Sequence, residues 1–106
     1  MRAFVLRLRA RTRLDFQRRE MSGYAFLFPG QGSQAVGMTK KLADLPSVAG
    51  IFRTAERVLG YDLQSLCLHG PQDVLDETVH CQPAVVVASL AALEVLKQSQ
   101  PQVFPT

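Results

Sequence analysis

Tyr24-Ala25-Phe26-Leu27-Phe28-Pro29-Gly30-Gln31-Gly32-Ser33-Gln34 passes from an unbroken apolar run into a proline and two spaced glycines. A short apolar run ended this way reads as a buried strand, residues 24–28, that turns into a tight loop. Glycine carries no Cβ, so bare backbone at Gly30 and Gly32 can approach a ligand. Backbone N–H groups gathered in such a loop can point at one spot and stabilise negative charge. The sequence thus sets a strand and a candidate anion-binding loop at the head of its globular part.

Helices are expected downstream. The first would run from about residue 34 or 35 to Leu45, where Pro46 breaks the chain. The next has Ser47 as candidate N-cap, apolar Val48, Ile51, Phe52, Ala55, Val58 and Leu59 at helical spacing, and Gly60 as C-terminal cap. A third spans Tyr61 to Leu68 with Asp62 as cap. His69-Gly70-Pro71 makes a turn, and a partly helical segment carries Val74 and Leu75. Pro83 suits the first position of a last helix. Ala84 to Leu96 is apolar almost all round, so that helix should be buried. Gln102-Val103-Phe104 reads as the start of a strand. One complete strand and several helices result. A strand apolar on both faces needs neighbours for its hydrogen bonds, so the expected class is α/β, as the opening portion of a larger domain.

Charge divides the chain of 106 residues in two. Residues 1–20 hold seven arginines against Asp15 and Glu20, a net +5, and the rest carries −2. The division places a basic leader at 1–22 and the domain at 23–106. The leader has Arg without Lys and no acid in its first fourteen residues, as in a mitochondrial transit peptide. Serine is missing from residues 1–20, and Leu6-Arg7-Leu8-Arg9 alternates with period two rather than with the helical period. The other reading, that Met21 is the true start, stays open. The mildly acidic body offers no basic patch suited to nucleic acid. Lys40, Lys41, Arg53 and Arg57 read as a solvated face. No uninterrupted apolar run reaches the roughly 20 residues of a membrane span. Cys67 and Cys81 show no metal-type spacing, so no metal site is expected and each thiol reads as a small apolar filler.

Two enzymatic patterns fit poorly. Gly30-Gln31-Gly32-Ser33-Gln34-Ala35 has the G-x-G-x-x-A spacing of a dinucleotide loop. That motif calls for a helix directly after the loop and then a strand ending in an acid, whereas Glu56 falls on the outer face of a helix. A nucleophile elbow needs G-x-S-x-G, and Ser33 has the wrong flanks. Ser89 lies inside the buried helix, where its hydroxyl should bond the preceding turn. His69 and His80 flank turns. No Ser-His-Asp triad can be assembled.

The whole pattern resembles one family. Phe28-Pro29-Gly30-Gln31-Gly32-Ser33-Gln34 followed by Val36-Gly37-Met38 is similar to the opening of malonyl-CoA:acyl carrier protein transacylases. Gln82-Pro83-Ala84 followed by Ala88-Ser89-Leu90-Ala91-Ala92-Leu93-Glu94 resembles that family's glutamine-proline helix start. Val58-Leu59-Gly60-Tyr61-Asp62-Leu63 and Leu68-His69-Gly70-Pro71 are similar to the mitochondrial animal enzymes. The resemblance covers about residues 23–104. It implies an α/β-hydrolase-like acyltransferase large subdomain and ping-pong transfer of malonyl from malonyl-CoA to the phosphopantetheine thiol of acyl carrier protein, in fatty acid biosynthesis in the mitochondrial matrix. No bound cofactor is implied; phosphopantetheine arrives on the partner.

Carried over residue by residue, Gln31 would give a backbone N–H to the oxyanion hole, Gly30 and Gly32 would bind substrate, and Gln82 would line the active site. Ser33 and Gln34 should hold the loop's shape. The family's nucleophile in a G-H-S-x-G-like elbow, its base His and its carboxylate-binding Arg have no counterpart in these residues. The chain alone is therefore expected to be inactive, a truncated N-terminal portion. Alternatives are a non-catalytic isoform that binds carrier protein and, less well fitted, a nucleotide-binding module.

Overall fold

The computed structural model describes residues 4–9 and 22–104. Strand β2, Ser22–Leu27, follows the apolar run and stops before Pro29. Its hydrogen-bonded partner is strand β1, Phe4–Arg9, which lies antiparallel with Phe4 opposite Leu27 and Arg9 opposite Ser22. The body thus contributes one strand, as its sequence suggests, and the leader contributes another. The alternation noted at residues 6–9 is the strand's own period of two. The neighbour of β2 among the described residues is therefore an antiparallel strand from earlier in the chain.

The helix expected from residue 34 or 35 to 45 does not form. Residues 36–44 are a chain of turns instead, closed by Met38 N–H to Ala35 O, Lys40 N–H to Gly37 O and Leu42 N–H to Thr39 O. The cause lies elsewhere in the chain. The N–H of Val36 goes to Gln72 Oε1 (2.9 Å) and that of Gly37 to Cys67 O (2.8 Å). Gly37 itself has φ +85°, outside the helical region.

Helix α1, Pro46–Leu59, starts one residue before the expected Ser47 cap, with Pro46 in its first turn and Leu45 in the cap position. A proline there loses nothing, because the first N–H groups of a helix have no internal partner. Gly60 closes α1 in the left-handed region, its N–H bonded to Glu56 O, as expected. Asp62 caps α2, Leu63–His69, by accepting the Ser65 N–H at 2.9 Å. Helix α3 is the short Gln72–Asp76.

Helix α4, Thr78–Ser99, begins five residues earlier than the Pro83 start expected from sequence. Its first turn is secured by Glu77 O, which accepts from both His80 and Cys81 N–H at 2.8 Å. Pro83 then lies within the helix and leaves Val79 O without its usual donor. The side chain of Val79 is exposed, so water can serve that carbonyl. By length and composition α4 could cross a membrane. In this fold it is the helix against which α1, α2 and α3 all pack.

The core forms where these helices meet. Val48, Phe52 and Ala55 recur on one face of α1, and Ala84, Ala88 and Ala91 on one face of α4. The small alanines let α1 approach closely. Leu63, Cys67 and Leu75 complete the cluster without solvent exposure. Burying each large aliphatic or aromatic side chain contributes about 1.5–3 kcal/mol. Both thiols are free and buried, as apolar fillers should be. Ser89, however, makes no hydrogen bond to its preceding turn. Its buried hydroxyl has no partner among the described residues.

After α4 the chain forms a single 3-10 turn, Pro101–Val103, and not the strand that was expected. Proline at the turn's first position and the Val103 N–H bonded to Gln100 O account for it. Val103 is buried, and Phe104 stacks on Phe26 of β2 with centroids 5.2 Å apart.

Candidate active site

The loop after β2 is exposed at Gly30, Gln31, Gly32 and Ser33. Its shape comes from hydrogen bonds rather than packing. Gly30 O accepts from Ser33 N–H at 3.2 Å and from Ser33 Oγ–H at 2.6 Å. Gly32 N–H donates to Gln34 Oε1 at 2.8 Å. Ser33 and Gln34 thus shape the loop, as the sequence suggests. A Cβ built on Gly30 or Gly32 would meet nothing within 4 Å, so both positions are open to an approaching molecule.

These bonds fix the two peptide planes that flank Gln31. In a trans peptide the N–H points opposite to the C=O. Because Gly30 O is held inward by Ser33, the Gln31 N–H is turned outward. No acceptor among the described residues takes it. The Gly32 N–H is spent on Gln34 and the Ser33 N–H on Gly30 O, so the Gln31 N–H between them is an uncommitted donor. Such a preset donor stabilises charge that develops on a reacting oxygen without reorganising.

Gln82, on the second turn of α4, reaches the loop across 51 residues of sequence. Its Nε2 donates to Gln31 Oε1 at 3.3 Å. The fold therefore brings Gln31 and Gln82 together. Gln82 also stands beside an apolar groove between α1 and α4, lined by Ala55, Val58, Pro83, Val86 and Leu90 among others. Val58, Val86 and Leu90 are at least half exposed there.

The loop is braced from α3. Asp76 Oδ1 accepts from Gln34 Nε2 at 2.9 Å and from Gln72 Nε2 at 2.8 Å. Sequence reasoning passed over both Gln72 and Asp76, because an exposed acid in a short helix looks like surface. The only hint was their i, i+4 spacing, which puts them on one helix face.

Other polar groups are structural. His80 Nδ1 lies 3.1 Å from Val74 O and 3.3 Å from the Glu77 carboxylate, at the α3–α4 junction. Tyr61 meets the His80 ring edge-on. Burial pushes the Cys67 thiol up to about 11, which keeps it protonated and unreactive. Lys40, Lys41, Arg53 and Arg57 are exposed. No three His, Cys, Asp or Glu side chains converge among the described residues. The segment directly after the loop is a run of turns, so it gives no helix N-terminus to hold a pyrophosphate, against the dinucleotide reading.

Strand, glycine loop and returning glutamine thus come together as a candidate site. Residues 25–103 match the acyl transferase domain family. The chain belongs to that family and is homologous to its malonyl-CoA:acyl carrier protein transacylases. The mouse mitochondrial malonyl-CoA-acyl carrier protein transacylase is 65% identical over 78 residues, 74% of this chain and 20% of the mouse protein. The human one is 62% identical over the same share of each. Among solved structures, a malonyl-transacylase in complex with its type II PKS acyl-carrier protein is 44% identical at TM-score 0.64, over 69% of this chain and 24% of that one. The chain thus spans about one fifth of the length of these mitochondrial relatives. The mostly helical fold with one body strand corresponds to the N-terminal portion of the transacylase fold.

Proposed function

We propose that these residues form the oxyanion-binding side of a site that transfers malonyl from malonyl-CoA to the phosphopantetheine thiol of acyl carrier protein, in mitochondrial fatty acid biosynthesis. The observation that carries this is the Gln31 N–H, without an acceptor among the described residues and turned outward by the Ser33 bonds to Gly30 O, with Gln82 bonded to the Gln31 side chain. In each half-reaction a nucleophile adds to a carbonyl and leaves a tetrahedral oxyanion. The Gln31 N–H serves that oxygen. The open backbone at Gly30 and Gly32 admits the acyl group, and the Gln82 amide holds the Gln31 side chain clear of it. The attacking serine belongs to a G-H-S-x-G-like elbow that is absent from these 106 residues.

In this reading β2 opens an α/β-hydrolase-like large subdomain beginning at residue 23. Residues 1–22 act as a transit peptide to the matrix, in keeping with the mitochondrial mouse and human relatives. A chimera tests it. Residues 25–103 replace the matched segment of the mouse transacylase. The chimera should transfer malonyl to acyl carrier protein within about tenfold of its parent, since no transition-state donor is lost. A folded chimera without transfer would refute the proposal. The 106 residues alone should form no malonyl ester.

A further inference from the structure

Asp76 is the last residue of α3 and touches no part of the loop backbone directly, yet the loop's geometry passes through it. A carboxylate only accepts hydrogen bonds. Its Oδ1 draws the NH2 groups of Gln34 and Gln72, at 2.9 and 2.8 Å. An amide that turns its NH2 toward one partner turns its oxygen away from it. Gln34 Oε1 is thereby set on the Gly32 N–H at 2.8 Å, and Gln72 Oε1 on the Val36 N–H at 2.9 Å. One carboxylate thus orients two amides, and each amide pins one backbone N–H of the segment around Gln31.

A Cβ built on Gly30 or Gly32 would meet nothing within 4 Å, so no close packing at those two positions stands in for these bonds. Without Asp76 either glutamine amide could flip, and a flipped Gln34 would set its NH2 against the Gly32 N–H. The Gln31–Gly32 peptide plane would then be released.

We propose that Asp76 is the positioning residue of the oxyanion loop, acting through Gln34 and Gln72 to hold the Gln31–Gly32 peptide plane and the Val36 N–H in place around the Gln31 donor. The proposal rests on the loop's reading as an oxyanion site, although the clamp itself can be measured without any reaction.

Two arms test it. Amide hydrogen exchange of the 106-residue chain is followed by NMR in wild type, Asp76→Ala and Asp76→Asn. The Gly60 N–H, bonded to Glu56 O at 2.8 Å, is the internal control. In Asp76→Ala the Gly32 and Val36 amides should exchange about three- to tenfold faster, the worth of one hydrogen bond, with Gly60 unchanged. Asp76→Asn should keep most of the protection, because its carbonyl oxygen still accepts from both amides. Equal Gly32 exchange in wild type and Asp76→Ala would overturn the clamp.

In the mouse chimera, Asp76→Ala should lower kcat about tenfold and leave KM for malonyl-CoA within about twofold, with Asp76→Asn restoring most of the loss. An active chimera whose kcat is indifferent to Asp76→Ala overturns the positioning role. A chimera inert in its wild-type form overturns the transacylase reading instead, while the exchange arm still decides the clamp.

Discussion

Gln82 Nε2 donates to Gln31 Oε1 across 3.3 Å, joining the second turn of α4 to a loop 51 residues earlier. The contact uses the Gln31 side chain and leaves its backbone N–H free. The two substitutions should therefore differ. In the active chimera, Gln31→Ala keeps the N–H and should cost less than about threefold in kcat, whereas Gln82→Ala frees the Gln31 side chain to swing over the loop and should cost about tenfold. Steady-state kinetics with malonyl-CoA and acyl carrier protein would show the order. Equal losses would mean that the side-chain tie matters more than the backbone donor.

Gly70 has φ +76°, and a Cβ built on it would stand 2.8 Å from Val36 Cγ2 and 3.0 Å from Gln72 N. Both strain and contact oppose any side chain. Gly70→Ala should destabilise the chain by about 1–2 kcal/mol from the left-handed backbone alone. It should also shift Val36, whose N–H is held by Gln72. A lower urea midpoint with an altered Val36 amide resonance is the expected result.

Asp62→Ala removes the side chain that accepts the Ser65 N–H and so uncaps α2. The expected cost is about 1 kcal/mol in equilibrium unfolding. The loss should reach the loop's far end, because Cys67 O in that helix accepts the Gly37 N–H.

Cys67 ties stability to pH. Burial raises its thiol from 9.0 to about 11, so the fold favours the protonated form. Below pH 9 that contribution is fully present. Between pH 9 and about 11 the unfolded chain loses its thiol proton while the folded chain keeps it, so stability falls as pH rises. The loss should be on the order of 2 kcal/mol by the top of that window. Tyr61 adds a fall of the same sign, since burial foremost and the Cys67 charge next raise its phenol. Unfolding curves of wild type and Cys67→Ala, compared across this range, should converge as the pH climbs.

Much of this was legible in sequence because it is local. The β2 strand, the glycine loop, the Gly60 cap and the Asp62 cap each follow from a few adjacent residues. That Gln31 and Gln82 both belong to the site was what the family resemblance implied, but their side-chain bond was not foreseen, since no spacing rule links residues so far apart. The failures have two causes. The helix expected before Pro46 is lost because Gln72 and Cys67 take the N–H groups of Val36 and Gly37. Helix α4 starts ahead of Pro83 because Glu77 O secures an extra turn. Asp76 was invisible because its two partners come from different elements. Partners distant in sequence decided the first and third cases, and ordinary local carbonyl bonds ahead of the proline decided the second.

The most direct test is a crystal structure of the chimera trapped as its malonyl ester. The ester carbonyl oxygen should lie about 2.7–3.1 Å from the Gln31 nitrogen, with Gly32 still bonded to Gln34. A carbonyl turned away from the loop, with no amide of residues 30–33 in reach, would contradict the assignment.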